Sequence, residues 1–169
     1  ETVIRAQEYL RIKKGLNIPC EVVGETKFSS CYKNKILDLA FTKKVDFSFL
    51  GALSNKNIEM TFTKSSIFIF LNIDQSWGLA VFEALSRGLP VILSESSGCV
   101  ELLKNSPGVI VVDPLDYKKI AESIYKLTNP RVWEEFSVGA YKTVQGMGWD
   151  EMYSSKVFEL SKTFLKKFK

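Results

Sequence analysis

The 169 residues carry a formal charge of +4, are 46% hydrophobic and contain no histidine. That apolar fraction supports a packed core in one domain, and the missing histidine removes Ser-His-Asp and Cys-His nucleophile systems, His-bearing metal sites and histidine general bases. The lysines are scattered rather than clustered, so no nucleic-acid partner is expected.

Helical and strand patterns alternate along the chain. Thr2 to Lys14 carries Val3, Ile4, Ala6, Leu10 and Ile12 at helical spacing and stops at Gly15; Cys20 to Gly24 reads as a short strand. Cys31 to Lys43 is a helix, Val45 to Leu50 a strand ending at Gly51, Asn55 to Thr63 a helix and Ser66 to Leu71 a strand. That last run is far shorter than the roughly 20 residues that span a bilayer, and reads as a buried strand. Gly78 to Arg87 is a helix closed by Gly88, followed by a strand from Pro90 to Ser94, a short helix from Val100 to Lys104, a strand from Gly108 to Val112 and a helix from Tyr117 to Leu127. Short apolar strands separated by crossover helices describe an α/β fold with a doubly wound parallel sheet. Ligands of such sheets sit beyond the carboxyl ends of the strands, which directs attention to the loops after Gly24, Gly51, Leu71 and Ser94.

From Pro130 the pattern is helical only, through Val132 to Gln145 and again from Trp149 to the end. In the last segment Trp149, Met152, Tyr153, Val157, Leu160, Phe164 and Phe168 form an apolar stripe with Lys156, Lys162, Lys166 and Lys167 mostly off it. Packing on this domain or on a further one is the expected role, and a basic helix giving peripheral membrane contact is the alternative. The organisation expected is a domain over residues 1–148 and a terminal helix over 149–169. Cys20, Cys31 and Cys99 form no Cys-x-x-Cys pair and are expected to be reduced core thiols. The sequence opens on Glu rather than Met and reads as part of a longer protein; no basic-then-apolar leader or permitted Asn-x-Ser/Thr site is present, and a cytoplasmic location is expected.

The most informative stretch runs from Gln75 through Ser76, Trp77, Gly78 and Leu79 to Glu83, and on through Gly88 to Ile92. It follows a strand and opens a helix at Gly78. Unpaired backbone N–H groups and the positive end of the helix dipole there hold a diphosphate without a lysine, and glycine lets a ligand approach the backbone. Glu83, about a turn and a half into the helix, is placed to accept hydrogen bonds from two vicinal hydroxyls such as those of a ribose. The competing account is that an acidic residue early in a helix simply favours the dipole.

This stretch resembles the signature of the retaining nucleotide-sugar glycosyltransferases of the GT-B group 1, family four, in which Glu-Gly-Phe-Gly-Leu leads to a second Glu. The counterparts are Gln75-Ser76-Trp77-Gly78-Leu79, then Glu83-Ala84 and Gly88-Leu89-Pro90-Val91-Ile92; Ser97-Gly98 with Glu101, Gly108, Val112-Asp113-Pro114 and Trp149 continue it over most of the chain. The resemblance implies a Rossmann-like, carboxyl-terminal GT-B domain with extra C-terminal helices, whose partner is a nucleotide-diphosphate sugar. It implies that Glu83 binds the ribose hydroxyls, that amides from Ser76 to Leu79 hold the donor phosphate and sugar, and that Gly51-Ala52-Leu53 lies against the base. Trp77 has a packing role as its preferred reading.

Two departures stand out. The first family glutamate is Gln75, the catalytic candidate, and the usual Pro-Ser before it is Leu71-Asn72. Glutamine keeps hydrogen bonding but supplies no negative charge near an oxocarbenium-like centre, and Asp74 beside it points the other way in an extended loop. The family also begins this domain with a strand and a glycine-rich loop bearing an Arg and a Lys for the phosphates, whereas this sequence opens at the following helix. That loop and an N-terminal acceptor domain are therefore expected outside these residues. With no Asp-x-Asp, neither a metal nor a cofactor is expected. The expected function is retaining sugar transfer to an unknown acceptor, carried out weakly if at all by this fragment alone. A non-catalytic nucleotide-sugar-binding relative and a nucleotide-sugar epimerase are the alternatives. A receiver-like signalling domain ranks behind them because it would require acidic residues clustered at strand ends.

Overall fold

A computed structural model describes residues 1–24, 30–73 and 77–147. The elements are α1 (Thr2–Lys14), β1 (Cys20–Val23), α2 (Ser30–Lys43), β2 (Phe47–Gly51), α3 (Asn55–Lys64), β3 (Phe68–Phe70), α4 (Leu79–Ser86), β4 (Val91–Ser94), α5 (Val100–Leu103), β5 (Val109–Val112), α6 (Tyr117–Leu127) and α7 (Pro130–Val144). Every strand pairs in parallel, β1 with β2 and β3 with β4 with β5.

The strands alternate their side chains between two cores, as the period of two demands. Phe68 and Phe70, Val91 and Leu93, and Val109 and Val111 face α4, α5 and α7, packing with Val81, Leu85, Leu103 and Ala140. Ile69, Ile92, and Ile110 with Val112 face α1 and α6, packing with Ala6, Leu10, Ile120 and Ile124. Helices on both faces make β4 fully buried, and its residues read as one apolar run.

The hydrogen-bonded sheet is in two parts rather than the continuous one expected. Among the described residues β1 and β3 each keep one edge without a strand partner, and β3 is correspondingly half-buried where β4 is sealed. Helix α1 joins the two parts. Its Ala6 and Leu10 pack with α6, its Ile4 packs with Ile36, Ala40 and Phe47, and the buried Gln7 amide donates to the carbonyls of Ile18 and Asp46 ahead of β1 and β2, at 2.7 and 2.8 Å.

Strand β2 starts two residues later than its apolar pattern predicts. Lys44, at φ 53°, closes α2, and the Val45 amide turns back to the Ala40 carbonyl at 3.1 Å, leaving Val45 as a core plug before the strand. The terminal helix expected over 149–169 lies outside the described residues. No helix among the described residues is long and apolar enough to cross a membrane.

The cysteines correct one expectation, because only Cys99 is a sealed core thiol. Cys31 is exposed; at about 100° per residue it lies roughly 140° and 180° around α2 from Ile36 and Ala40, the residues that face the core. Burial, aided by the neighbouring Glu21 charge, pushes the Cys20 thiol up to about 11. Since thiolate is the reactive form, iodoacetamide at neutral pH should label Cys31 well before Cys20 or Cys99. Peptide mass spectrometry over a time course reads the order, and early labelling of Cys20 would contradict it.

Candidate nucleotide site at the carboxyl edge

Parallel pairing puts the carboxyl ends of β1 and β2 at one edge of their sheet, where the loop after Gly51 leaves, and those of β3, β4 and β5 at one edge of theirs, where the loops after Phe70 and Ser94 leave. At β2 the register jumps, Val22 opposing Phe49 and Val23 opposing Gly51, so Leu50 bulges and the strand ends turned toward Ala52 and Leu53. The Gly24 amide donates to the Gly51 carbonyl at 2.9 Å, tying the ends of β1 and β2 together. Ala52 is exposed and Leu53 half-buried. Ser54 caps α3 immediately afterwards.

Gly78 sits at the turn between β3 and α4 in the left-handed region, φ 75° and ψ 55°. A Cβ there would lie 3.0 Å from the Phe70 ring and 3.3 Å from Val81. The conformation therefore favours glycine, and a side chain would also crowd the Phe70 ring. The helix begins at Leu79, so Glu83 is just over one turn inside it. Of the first-turn amides, that of Val81 donates to the Gly78 carbonyl at 2.9 Å, and those of Leu79 and Ala80 have no intrahelical acceptor by position. Val81, Ala84 and Leu85 form the buried face of α4, and Glu83 is exposed on the opposite side. Among the described residues Glu83 forms no ion pair, while its carbonyl accepts from Ser86 Oγ at 2.8 Å and Arg87 Nη1 at 2.7 Å.

Trp77 stacks on Phe82, ring centroids 6.2 Å apart and 18° between planes, yet keeps 56% of its surface exposed. Among the described residues its ring contact is with Phe82, and Leu79 two residues on is exposed as well. Gln75 and Ser76, with Asp74, lie outside the described residues. Ser97 is buried, its amide bonded to Ser94 and its hydroxyl 3.2 Å from the Cys99 sulfur, which shapes the turn after β4. Open grooves on α7, lined by Arg131, Glu134, Glu135 and Val138, and at the α6–α7 turn include none of these residues.

The structure thus places Gly51, Ala52 and Leu53 at the carboxyl end of β2, and Trp77, Gly78, Leu79 and Glu83 in the turn and helix that follow β3. Sequence reasoning gave no role to Phe70, whose ring sets the space at Gly78, or to Arg87, whose spacing four residues after Glu83 is a helix-pair signal.

Gly78→Ala should lower stability by about 1–2 kcal/mol, the cost of a side chain in the left-handed region. For a domain of this size that is roughly 2–8 °C in Tm. An unchanged Tm in thermal denaturation would remove the conformational argument.

Residues 1–137 match the family described as Glycosyl transferases group 1. Sucrose-phosphate synthase 4 of Arabidopsis thaliana is 29% identical over 86 residues, which are 49% of this chain and 8% of that protein. A glycosyltransferase from Rickettsia africae superposes with a TM-score of 0.80 at 21% identity, over 98% of this chain and 44% of its own. Anabaena Alr3699/HepE, solved with UDP, gives 0.81 at 16% identity over 95% of this chain and 44% of its own. The chain therefore spans less than half the length of these relatives. By its match over residues 1–137 and the arrangement of its carboxyl edge, the chain belongs to the group 1 glycosyl transferases.

Proposed function

We propose that the chain binds a nucleotide-diphosphate sugar at the carboxyl edge, as the donor half of a glycosyltransferase that retains anomeric configuration. The observation that carries this reading is the exposed Glu83, without an ion pair among the described residues, one turn into a helix whose start is shaped by Gly78 against Phe70. Glu83 accepts the two ribose hydroxyls, the amides at the start of α4 meet the diphosphate, and Gly51–Leu53 lies along the base. The complexes of Alr3699/HepE with UDP and with UDP-glucose support a nucleotide-sugar ligand. In the retaining mechanism the departing phosphate takes the acceptor proton, which suits a sequence without histidine.

The cationic phosphate loop and the acceptor-binding domain come, in this reading, from polypeptide outside the 169 residues. Among the described residues β1 and β3 each have an edge without a strand partner, which is consistent with a further strand between them. Titrating the protein with UDP, GDP and ADP sugars by calorimetry tests the site and names the base, and product analysis separates transfer from epimerisation. Saturable binding of none of the three would overturn the reading. In this reading Gln75 recognises the donor sugar, so Gln75→Glu should change the ratio of kcat/KM for two donors by roughly tenfold or more. An active enzyme with an unchanged ratio would show that this side chain does not read the sugar.

A further inference from the structure

Helix α3 carries the Gly51–Leu53 loop at its start, yet it buries no residue fully. Its aromatic anchor is Phe62, half-buried against the main core, with its ring 5.8 Å from that of Phe68. The other attachment comes from Arg87, the residue that ends α4. Its Nε lies 3.0 and 3.1 Å from the two carboxylate oxygens of Glu59, its Nη2 also donates to Glu59, and its Cζ stands 4.7 Å from the centre of the Phe62 ring. Glu59 and Phe62, three apart on α3, share one face. The same guanidinium donates through Nη1 to the Glu83 carbonyl at 2.7 Å. One planar fork thus holds a carboxylate, a ring and a carbonyl from two helices, a geometry that lysine does not reproduce.

We propose that Arg87 is a positioning residue that clamps α3 to α4 and so fixes the Gly51–Leu53 loop relative to Gly78 and Glu83, the two sides of the nucleotide site. The part concerning ligand rests on the function proposed above; the clamp itself does not. The Arg87 hydrogen bond holds the Glu59 carboxyl below its ordinary range, consistent with a persistent contact. An exposed ion pair adds little to global stability. Its effect here is local, because α3 has little else to hold it.

Hydrogen–deuterium exchange on the full 169-residue chain decides the matter. In Arg87→Ala and in Glu59→Gln, peptides covering 54–65 should exchange roughly tenfold faster or more, while those covering β4 and β5 keep the wild-type rate. Arg87→Lys should recover only part of the protection. Whichever of UDP, GDP or ADP the wild type binds should bind several-fold more weakly to both variants. Unchanged exchange over 54–65 in Glu59→Gln and Arg87→Ala would overturn the clamp, and faster exchange with full nucleotide affinity would overturn the positioning role. If the wild type binds none of the three, the proposed function fails, and the exchange result still decides the clamp.

Discussion

Gly108→Ala should be the most damaging single substitution, costing more than about 3 kcal/mol and lowering Tm by at least roughly 6 °C. A Cβ on Gly108 would lie 2.2 Å from the Ala140 Cα and 2.3 Å from its backbone nitrogen, so the obstacle is the body of α7 and not the tip of a side chain. The reciprocal contact is Gly139, whose added Cβ would meet the Pro107 backbone at 2.8 Å. At these two points α7 lies directly on the loop that enters β5. Overpacking in such a place is relieved only by moving the helix. Ala140→Gly should therefore fail to rescue Gly108→Ala, because the closest atoms are backbone. Denaturant unfolding of both variants checks this, and recovery in the double variant would show that the Ala140 methyl was the obstacle.

The damage should also reach the site. Helix α7 shares a core with α4 through Ala140, Val81, Ala84 and Leu85, and α4 carries Glu83 on its other side. A shift of α7 removes support from the helix that presents Glu83. The path from Gly108 to the proposed function runs through packing.

The sequence made some of this readable. α1 and α6 appear at their predicted bounds, since Gly15 closes one, Asp116 caps the other and both carry apolar residues at helical spacing. The parallel arrangement followed from apolar strands alternating with crossover helices. Strand limits did not, because they depend on partners: β3 is paired only from Phe68 to Phe70, opposite Val91 to Leu93, although apolar character runs from Ile67 to Leu71. The division of the sheet was invisible for the same reason, since periodicity reports which face a residue occupies and not which strand lies beside it.

At the site, the placement of Gly51–Leu53 after β2 and of Trp77–Leu79 and Glu83 after β3 was legible from the alternation of strands and helices. The Glu59–Arg87 contact was not, because its partners are 28 residues apart and belong to no local pattern. Trp77 shows the limit of reading residue type. An aromatic in a turn suggests a core wedge, but here the residue before Gly78 stacks on Phe82 and stays largely open.

Glu83→Ala should weaken donor binding by about 1.5–3 kcal/mol, roughly 10- to 150-fold in Kd, and leave the fold intact. The competing explanation assigns Glu83 a purely helical role, as the acidic member of a pair with Arg87 four residues later, for which about 0.2–0.5 kcal/mol of stability is usual. The two accounts differ in both the size and the kind of effect. A helix-supporting role predicts a small loss of stability with unchanged affinity for the nucleotide. A binding role predicts a large loss of affinity with little change in Tm, since the side chain is exposed and the hydrogen bonds that Ser86 and Arg87 make are to the Glu83 carbonyl, which alanine retains. Glu83→Gln refines the comparison. It keeps one acceptor oxygen but loses the charge, so its affinity should fall between wild type and alanine, as expected when hydrogen bonds to a charged group exceed neutral ones. The decisive measurement is calorimetric titration of all three proteins with the preferred nucleotide and with its 2′-deoxy form. If Glu83 grips the ribose, wild type discriminates against the deoxy ligand and Glu83→Ala binds the two alike. Equal discrimination in wild type and Glu83→Ala would assign ribose recognition to another residue, whatever the change in absolute affinity.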